Sequence, residues 1–211
     1  MKSYAYEQVA RVGRALGSGH RLELLELIAQ AEQSVDTLAR LSGMGVTTVS
    51  SHLQTLKGVG LVRTRRDGTT IYYRLAGDKV AELVVTLNDV ASETVPDLIL
   101  LAENDPDQAI VPMLRDVQEV DDSFVLDVRP AQEFAAGHYP GAASIPLAEL
   151  PERAEEVPLD RRVVVYCRGE FCLLARDAAR LLRDRGVDAY AMDQGVLEWR
   201  GRGHITLSAT A

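Results

Sequence analysis

Apolar residues in the first part of the chain recur at the spacing of an α-helix. Leu22, Leu25 and Ile28 are three residues apart, so they share one helix face. Comparable patterns predict three more helices, over about residues 5–17, 34–43 and 45–60. Ser34 or Asp36 is placed to cap the helix that begins near residue 34.

The helix predicted over residues 45–60 has an apolar stripe and several polar faces. The stripe is formed by Val46, Val49, Leu53 and Leu56. The other positions hold mostly short polar side chains: Thr47, Thr48, Ser50, Ser51, His52, Gln54 and Lys57. Such a surface is either a solvated helix face or one that reaches base edges in a DNA groove.

Residues 61–75 change to a strand-like composition, with β-branched and aromatic side chains on both sides of the Asp67-Gly68 pair. An Asp-Gly pair is a strong turn signal, so this segment predicts a β-hairpin. The hairpin carries four arginines, of which Arg63, Arg65 and Arg66 are the candidates for contacts with DNA, and Arg74 is the fourth. Three helices, a polar helix and a basic hairpin follow the element order of a winged helix-turn-helix domain.

Strand and helix patterns alternate in the second half of the chain. Short apolar runs predict strands over residues 123–128, 163–166 and 188–192, and residues 173–186 predict an amphipathic helix. This alternation is typical of an α/β domain whose parallel sheet is flanked by helices.

The two patterns are separated by a short acidic stretch. Residues 77–102 continue the helical spacing, with Pro96 as a break or kink. Glu103–Gln108 has no periodicity and contains a proline, as expected of a linker. We therefore predict a mostly α domain over residues 1–102, a linker over 103–108 and an α/β domain over 109–211.

The composition is that of an ordinary soluble protein, with 46% hydrophobic and 26% charged residues. No apolar run approaches the roughly 18 residues of a membrane span, and no secretory signal is visible, so we expect a cytoplasmic protein. Residues 1–95 hold 11 basic and 10 acidic residues, a net charge of +1. Residues 96–211 hold 12 basic and 21 acidic residues, a net charge of −9. The acidic total is therefore compatible with DNA binding by the first domain.

Direct reading of DNA needs short polar side chains in the major groove and cations on the phosphates. The polar helix supplies the short polar side chains, and the hairpin arginines supply the cations. His52 is either a base reader or, as we favour, a residue that packs beneath the helix. Residues 37–75, TLARLSGMGVTTVSSHLQTLKGVGLVRTRRDGTTIYYRL, resemble the arsenic-repressor (ArsR) family of winged-helix repressors, and the resemblance extends over roughly residues 5–95.

The ArsR resemblance implies a homodimer, built from the first and last helices, that binds a double-stranded, near-palindromic operator. Metal-sensing members carry cysteines around the third helix, or histidine and carboxylate pairs on the last helix. This sequence has no cysteine in the third helix and no histidine in residues 77–102. Asp89 and Glu93 alone are a poor site for a soft metal, so we expect neither a metal nor another cofactor.

Both cysteines of the chain, Cys167 and Cys172, lie in one short segment. In a reducing compartment such a pair indicates reactive or metal-binding thiols. Cys167 follows an apolar strand and precedes a helix, beside Arg168 and Gly169. The helix N-terminus, the cation and the loop amides predict a lowered pKa and a nucleophilic thiolate at Cys167. The alternative for either cysteine is a small buried hydrophobe.

Four segments resemble the rhodaneses, in the family's order: Leu126–Pro130, Glu133–Pro146, Val163–Cys172 and Asp193–Trp199. The resemblance implies that Cys167 takes a sulfane sulfur from thiosulfate or a small-thiol persulfide and passes it to a thiol. It also places Asp127 and Arg129 near the site. We favour a fold-holding salt bridge with Glu133 or another neighbour over direct catalysis by these two residues.

Two positions depart from the rhodanese pattern. Gln194-Gly195 replaces a glycine pair, and Cys172 stands where threonine or serine is usual. A second thiol allows a persulfide to resolve into a disulfide or a polysulfide bridge, which is the chemistry of a sensor. Leu173 stands where related phosphatases and arsenate reductases need an arginine, which argues against those two activities.

Three functions follow from these patterns. We favour a transcriptional regulator whose rhodanese-like domain senses reactive sulfur through Cys167. The alternative is a sulfurtransferase enzyme with an accessory DNA-binding domain, and some sulfurtransferase activity is compatible with either role. The third function is the capture of arsenite or a metal by the thiol pair, and the absence of a third sulfur ligand argues against it.

Overall fold

The computed structural model describes residues 2–98, 111–115, 117–120 and 122–203. The chain divides into two compact units, Met1–Val84 and Val85–Ala211. The predicted linker, Glu103–Gln108, lies outside the described residues, as does the limit drawn at residue 102. The domain limits given above therefore stay predictions.

The first unit begins with four helices close to those that the apolar spacing predicts. They are α1 (Lys2–Leu16), α2 (Gly19–Gln30), α3 (Val35–Ser42) and α4 (Val46–Gly58). Ser34 caps α3, because its hydroxyl accepts a hydrogen bond from the amide of Thr37 at 3.2 Å. Gly43 ends the same helix with a φ of 69°, a left-handed conformation that glycine adopts without strain.

A β-hairpin follows α4, with strands β2 (Val62–Asp67) and β3 (Thr70–Leu75). Gly68 forms the turn with a φ of 57°, as the Asp-Gly pair predicts. A two-residue strand, β1 (Gln33–Ser34), pairs antiparallel with β3. The sequence did not indicate β1, because two residues are too few to show a period.

The core of the first unit includes the apolar stripes of α2 and α4. Val49, Leu53 and Leu56 of α4 are fully buried, whereas Val46 is 50% exposed. The prediction of a four-residue stripe is therefore wrong at Val46. This residue is the first of the helix, and its neighbours in the stripe supply the buried face from the next turn onward.

Helix α5 (Asp78–Thr94) precedes the predicted linker, and Val95 separates it from further helical residues at 96–98. It ends before Pro96, as expected, since the residue that precedes a proline avoids the helical conformation. The division between the two units falls within it, after Val84.

The second unit is built on a five-stranded sheet whose order is β4-β8-β7-β5-β6. Every pairing in it is parallel. The strands are β4 (Met113–Leu114), β5 (Phe124–Asp127), β6 (Ala143–Ser144), β7 (Val163–Tyr166) and β8 (Ala189–Met192). The three longer strands match the apolar runs of the sequence, and the two-residue edge strands were not predicted.

Helices cover the sheet of the second unit. They are α6 (Ala131–Ala136), α7 (Leu150–Arg153), α8 (Leu174–Arg183) and α9 (Val196–Arg202), with 3₁₀ turns at Val117–Val120 and Ala154–Glu156. The central strand β7 is buried on both faces: Val165 packs in one cluster with Leu182, and Tyr166 in another with Trp199. Its carboxyl end therefore opens from the middle of the sheet, where α/β folds place their sites.

In the part of the chain that the structure describes, no helix combines the length and the apolar character needed to cross a bilayer.

Candidate functional site

The loop between β7 and α8, Cys167–Leu173, is called the cysteine loop below. It begins directly after the central strand and ends where α8 begins, at Leu174. The amide of Cys172 donates to the carbonyl of Gly169 at 3.0 Å, which curls the loop on itself. The predicted strand, loop and helix around the two cysteines are confirmed, and both residues are free thiols.

Cys167 lies at the bottom of the loop and is only 1% exposed. Its Sγ lies 3.1 Å from the carbonyl oxygen of Cys172, to which it donates a hydrogen bond. Burial raises the pKa of the Cys167 thiol well above its ordinary value, and the backbone amides of Ala175 and Gly169 oppose that rise only in part. The predicted lowering of the pKa at Cys167 is therefore wrong, because burial outweighs the amides.

Cys172 is only partly buried and is the cysteine of the pair whose pKa is lowered. The interaction with the Cys167 side chain is the largest cause that lowers the pKa of Cys172, to about 6. The backbone amides of Arg168 and Leu174 lower it further, and the charge of Arg168 adds a smaller effect. Backbone amides of the loop and of α8 thus act on both sulfurs, whereas the charge of Arg168 acts on the second.

Arg168 is bound to a buried carboxylate rather than presented to the loop opening. Its Nη2 lies 2.7 Å from Oε1 of Glu133, and its Nε lies 2.9 Å from Oε2. Glu133 is 1% exposed and belongs to α6. This two-pronged pair ties the cysteine loop to α6.

Asp127 and Arg129 form a salt bridge in which neither side chain is exposed. Nη2 of Arg129 lies 2.6 Å from Oδ2 of Asp127 and 2.8 Å from the carbonyl of Gly137. The hydroxyl of Tyr166 donates to the same Asp127 oxygen at 2.6 Å and accepts the amide of Tyr139 at 3.0 Å. This network joins β5, β7 and the turn after α6, which is the structural role that we favoured, with Asp127 rather than Glu133 as the carboxylate.

Glu198 is a site residue that the sequence reasoning missed. It is 4% exposed, and its carboxylate accepts the amides of Gly195 at 2.8 Å and of Glu170 at 3.4 Å. Burial raises the pKa of Glu198 to about 7. The spacing Gly195-x-x-Glu198 at the start of a helix is that of a capping box and was the available signal.

Two glycines allow the close packing of the cysteine loop on α9. A Cβ at Gly169 would lie 2.7 Å from Oε1 of Glu198, and a Cβ at Gly195 would overlap the carbonyl oxygen of Cys167. Gln194 turns away, and its amide donates to the carbonyl of Arg115 at 2.8 Å.

The cysteine loop also contacts the last turns of α5, within the second unit. The hydroxyl of Ser92 donates to Oε1 of Glu170 at 3.1 Å. Nη2 of Arg202, in α9, lies 2.7 Å from Oδ1 of Asp89. Burial raises the pKa of Glu170. The hydrogen bond from Ser92 to its side chain and the one from its amide to the Glu198 carboxylate hold this loop residue in place.

The candidate DNA interface lies on α4 and on the β2–β3 hairpin, called the recognition helix and the wing below. Ser50 and His52 of this interface are partly buried. Its other residues are exposed: Thr47, Thr48, Ser51, Gln54, Lys57, Arg63, Arg65 and Arg66. Gln54 donates to the hydroxyl of Tyr73 at 3.1 Å, which orients its amide. The ring of His52 lies 5.8 Å from that of His20, and burial lowers the pKa of His52.

One acidic residue engages two arginines of the wing. Oε2 of Glu32 lies 2.7 Å from Nε of Arg65, and Oε1 of Glu32 lies 3.4 Å from Nε of Arg74. Asp67 is a second partner of Arg65, at 3.2 Å. A DNA phosphate that approaches Arg65 therefore competes with two carboxylates.

In the same described ranges, no group of three or more histidine, cysteine, aspartate or glutamate side chains is arranged to hold a metal ion. The thiol pair accordingly has no third ligand of these types at hand there.

Comparisons with known proteins divide the chain in the same way. A family model described as a rhodanese-like domain matches residues 112–202, and a model described as HVO_A0114 matches residues 18–81. A sulfurtransferase of Allochromatium vinosum is 32% identical over 92 residues, covering 40% of this chain and 78% of its own.

One relative matches almost the whole chain. It is the HTH-type transcriptional regulator Rv0324 of Mycobacterium tuberculosis, 46% identical over 204 residues, covering 94% of this chain and 90% of its own. Among solved structures, the homodimeric winged helix-turn-helix DNA-binding domain of Mb0332 from Mycobacterium bovis, a possible ArsR-family regulator, is 48% identical. That match covers 46% of this chain and 89% of the solved one, with a TM-score of 0.43.

Proposed function

Since this chain belongs to the family of winged-helix transcriptional regulators that carry a C-terminal rhodanese-like domain, we propose that its operator affinity responds to sulfane sulfur. The sulfur is taken up by Cys167 and Cys172 in the cysteine loop. The observation that carries the proposal is the pair of free cysteines in the loop at the end of the central strand, with the Sγ of Cys167 3.1 Å from the carbonyl oxygen of Cys172 and the pKa of Cys172 lowered to about 6. A thiolate is the form that attacks a sulfane sulfur.

The operator is read by the recognition helix and the wing. Exposed hydroxyl and amide groups on α4 suit base edges, and the wing arginines suit phosphates. A regulator of this kind acts where its DNA is, so we expect it in the cytoplasm.

We propose a homodimer as the DNA-binding form. Helices α1 and α5 both carry large apolar side chains that are exposed in the single chain: Tyr4, Tyr6, Val9, Leu83, Leu87 and Val90. Exposed apolar residues on each of these helices favour burial against a second copy. Two recognition helices, one from each copy, then suit a near-palindromic operator.

The contacts of α5 offer a route from the sulfur site to the dimer. Ser92 and Asp89 of this helix contact Glu170 of the cysteine loop and Arg202 of α9. A loop that rearranges on sulfur uptake changes these contacts, and α5 also carries part of the apolar surface assigned to the dimer. Sulfur uptake therefore biases the dimer between two DNA affinities.

The test is a binding titration on an operator selected from random duplex DNA by the protein, in reduced and in sulfur-treated form. We expect a small-thiol persulfide to change operator affinity by roughly 5- to 150-fold, the usual range of allosteric coupling. The double variant Cys167→Ser/Cys172→Ser controls for effects away from the loop and is expected to show no change. Unchanged affinity in wild-type protein whose sulfur content is verified by mass would contradict the proposal.

A matched variant tests the route through α5. Ser92→Ala removes the hydrogen bond to Glu170 and leaves both thiols in place. We expect it to take up sulfur as the wild type does and to lose most of the affinity change. Thr94→Ala, on the same helix, removes a hydroxyl that bonds only within α5, to the carbonyl of Val90 at 2.6 Å, and is the control.

A sulfurtransferase is the second candidate, because the rhodanese-like model matches residues 112–202 and the chain is 32% identical over 92 residues to a sulfurtransferase. The readout is turnover of thiosulfate and cyanide to thiocyanate. Turnover that disappears when the two cysteines are replaced supports it. If turnover is at the background rate and operator affinity still depends on sulfur, the sulfurtransferase is excluded and the sensor role remains.

A further inference from the structure

We infer that Gln54 is a base-reading residue of the recognition helix, that it selects adenine, and that the hydroxyl of Tyr73 holds its amide ready for this contact. The inference rests on the proposed function, in which the recognition helix reads the operator, and it names the residue and the base that carry specificity there. Tyr73 is not among the residues that the sequence indicated for DNA binding, and it is a buried residue of the hairpin.

Gln54 lies on the outer face of the recognition helix. It follows Thr47 by seven residues and Ser51 by three, a spacing that brings the three side chains to one face of a helix. The buried residues of α4 occupy the opposite face. All three outward residues are exposed, so a base edge can approach them.

Gln54 is the only residue of α4 with an amide side chain. Its neighbours on the outer face carry hydroxyls, and a hydroxyl can donate or accept, so it pairs with several bases and discriminates poorly. An amide instead presents a fixed acceptor beside fixed donors. That pattern matches adenine in the major groove, where the N6 amino group donates and N7 accepts. Gln54 therefore has the side chain on this face that is best suited to select one base.

The hydroxyl of Tyr73 fixes the orientation of the Gln54 amide. Nε2 of Gln54 donates to this hydroxyl at 3.1 Å. An amide nitrogen carries two hydrogens, so one N–H and Oε1 remain for a base. A glutamine without such a contact samples several rotamers, and ordering it on binding lowers affinity by about two- to twelvefold. Tyr73 supplies this order before DNA binds.

Tyr73 is itself a rigid anchor. It is 2% exposed and lies in β3, the central strand of the order β1-β3-β2. Gln33 of β1 and Thr64 of β2 pair with it from the two sides. Because the ring is packed and the strand is held on both edges, the bond from α4 keeps the Gln54 amide at a fixed place relative to the wing.

The charged side chains nearby suit a different task. Lys57 lies in the last turn of the recognition helix, and Arg65 of the wing contacts Glu32 and Asp67. Exposed cations attract the phosphates of any sequence. Removing one of them weakens binding to all duplexes alike, whereas removing a base contact changes the preference at one position. Specificity and overall affinity can therefore be measured separately.

The test compares the full-length wild type with Gln54→Ala, Tyr73→Phe and Tyr72→Phe. The wild type selects an operator from random duplex DNA, and affinity is then titrated on duplexes that carry each of the four base pairs at every operator position. We expect one position in each half-site at which the wild type prefers adenine by roughly 5- to 150-fold. Gln54→Ala should abolish the preference at that position only.

Tyr73→Phe should weaken the preference for adenine by about two- to twelvefold, because the amide is no longer ordered. Tyr72→Phe is the matched control. It removes a hydroxyl from the preceding residue of β3, which points to the opposite face of the strand and keeps its ring against Arg65. Affinity for nonspecific duplex DNA and its salt dependence should be equal in the two tyrosine variants, since neither change touches a phosphate contact. A merely structural role of Tyr73 would lower affinity for every duplex instead.

A second substitution, Gln54→Glu, guards against a Tyr73 variant that fails to fold. Gln54 is exposed, and a carboxylate has nearly the same shape with acceptors only. Cytosine presents an amino donor in the major groove, so we expect the preferred base at the same position to change from adenine to cytosine. A Gln54→Glu protein that still prefers adenine there would overturn the base contact.

The outcomes separate this inference from the proposed function. If Gln54→Ala keeps the wild-type preference at every position, Gln54 reads no base and the inference is overturned. If the preference that it loses is for another base, the adenine assignment is overturned. If Tyr73→Phe discriminates as Tyr72→Phe does, the positioning role is overturned. A wild type that selects no sequence from random DNA removes the proposed function itself.

Discussion

The recognition helix and wing present their candidate functional side chains to solvent. Most of the candidate functional side chains in and around the cysteine loop are instead buried or partly buried. The groups proposed to contact DNA are mainly hydroxyls and guanidinium groups that lie on an exposed surface. In the second unit, Asp127, Arg129, Glu133 and Glu198 are buried, and each is satisfied by specific partners. The first kind of site depends on exposed chemistry, and the second depends on packing.

This difference sets how each site responds to change. An exposed ion pair is worth little, because water and salt screen both partners. A buried charge that loses its partner is costly, because nothing replaces the lost interaction. We therefore expect substitutions around the cysteine loop to act on folding, and substitutions on the wing to act on affinity alone.

The largest effect is expected for Arg129→Met. It leaves the Asp127 carboxylate buried without its partner, which costs about 3–5 kcal/mol of the free energy of unfolding. Urea unfolding measures it. The double variant Asp127→Asn/Arg129→Met removes the lone charge and should recover part of the loss. Arg153→Met, at an exposed pair with Glu149 and Glu156, should leave the urea midpoint unchanged. A single variant no less stable than the double variant would contradict this assignment.

An intermediate effect is expected for Glu198→Gln, through pH. The pKa of Glu198 is raised to about 7 from 4.5, so the folded state holds this proton more tightly than the unfolded state. The stability that it contributes is present below pH 4.5 and is lost as pH rises through about 7.

Glu198→Gln should remove this loss, which amounts to roughly 3 kcal/mol between the two limits. Thermal unfolding from pH 4.5 to pH 7.5 provides the comparison with the wild type. Glu170 and Asp193, whose pKa values burial also raises, are present in both proteins and cancel. Parallel curves for the two proteins would show that Glu198 does not titrate in this window.

The smallest effect is expected for Glu32→Gln, on the exposed side of the comparison. Arg65 and Arg74 lose a carboxylate partner and become more available to phosphates. We expect affinity for nonspecific duplex DNA to rise by about two- to fivefold, as for other exposed pairs. Glu7→Gln makes the same change in net charge on α1 and is the control. An equal rise in both variants would assign the effect to net charge alone.

The sequence predicts the DNA-facing part well because its signals are local. Helical spacing, the Ser34 cap and the Asp67-Gly68 turn each depend on residues a few positions apart. The exposure of Val46 is an exception, since it depends on how the first turn of α4 meets the rest of the unit.

The cysteine loop is predicted in outline and not in its ionisation. The strand before Cys167 and the helix after Leu173 are readable from apolar runs. Which sulfur carries the charge depends on burial, and burial at Cys167 comes from strands and helices far away in the chain. Glu133 and Glu198 were likewise missed as partners of the loop, because each reaches it over about 30 residues of sequence.

Trp199 is the single tryptophan of the chain, and it lies 1% exposed with its ring 4.8 Å from that of Tyr166. Tyr166 is the residue before Cys167, and Glu198 is the residue before Trp199. The indole is thus an intrinsic fluorophore in contact with the residue that precedes Cys167, and the chain has no second tryptophan to obscure it. Its emission gives a label-free, real-time signal for events in the loop, so stopped-flow spectroscopy can time them.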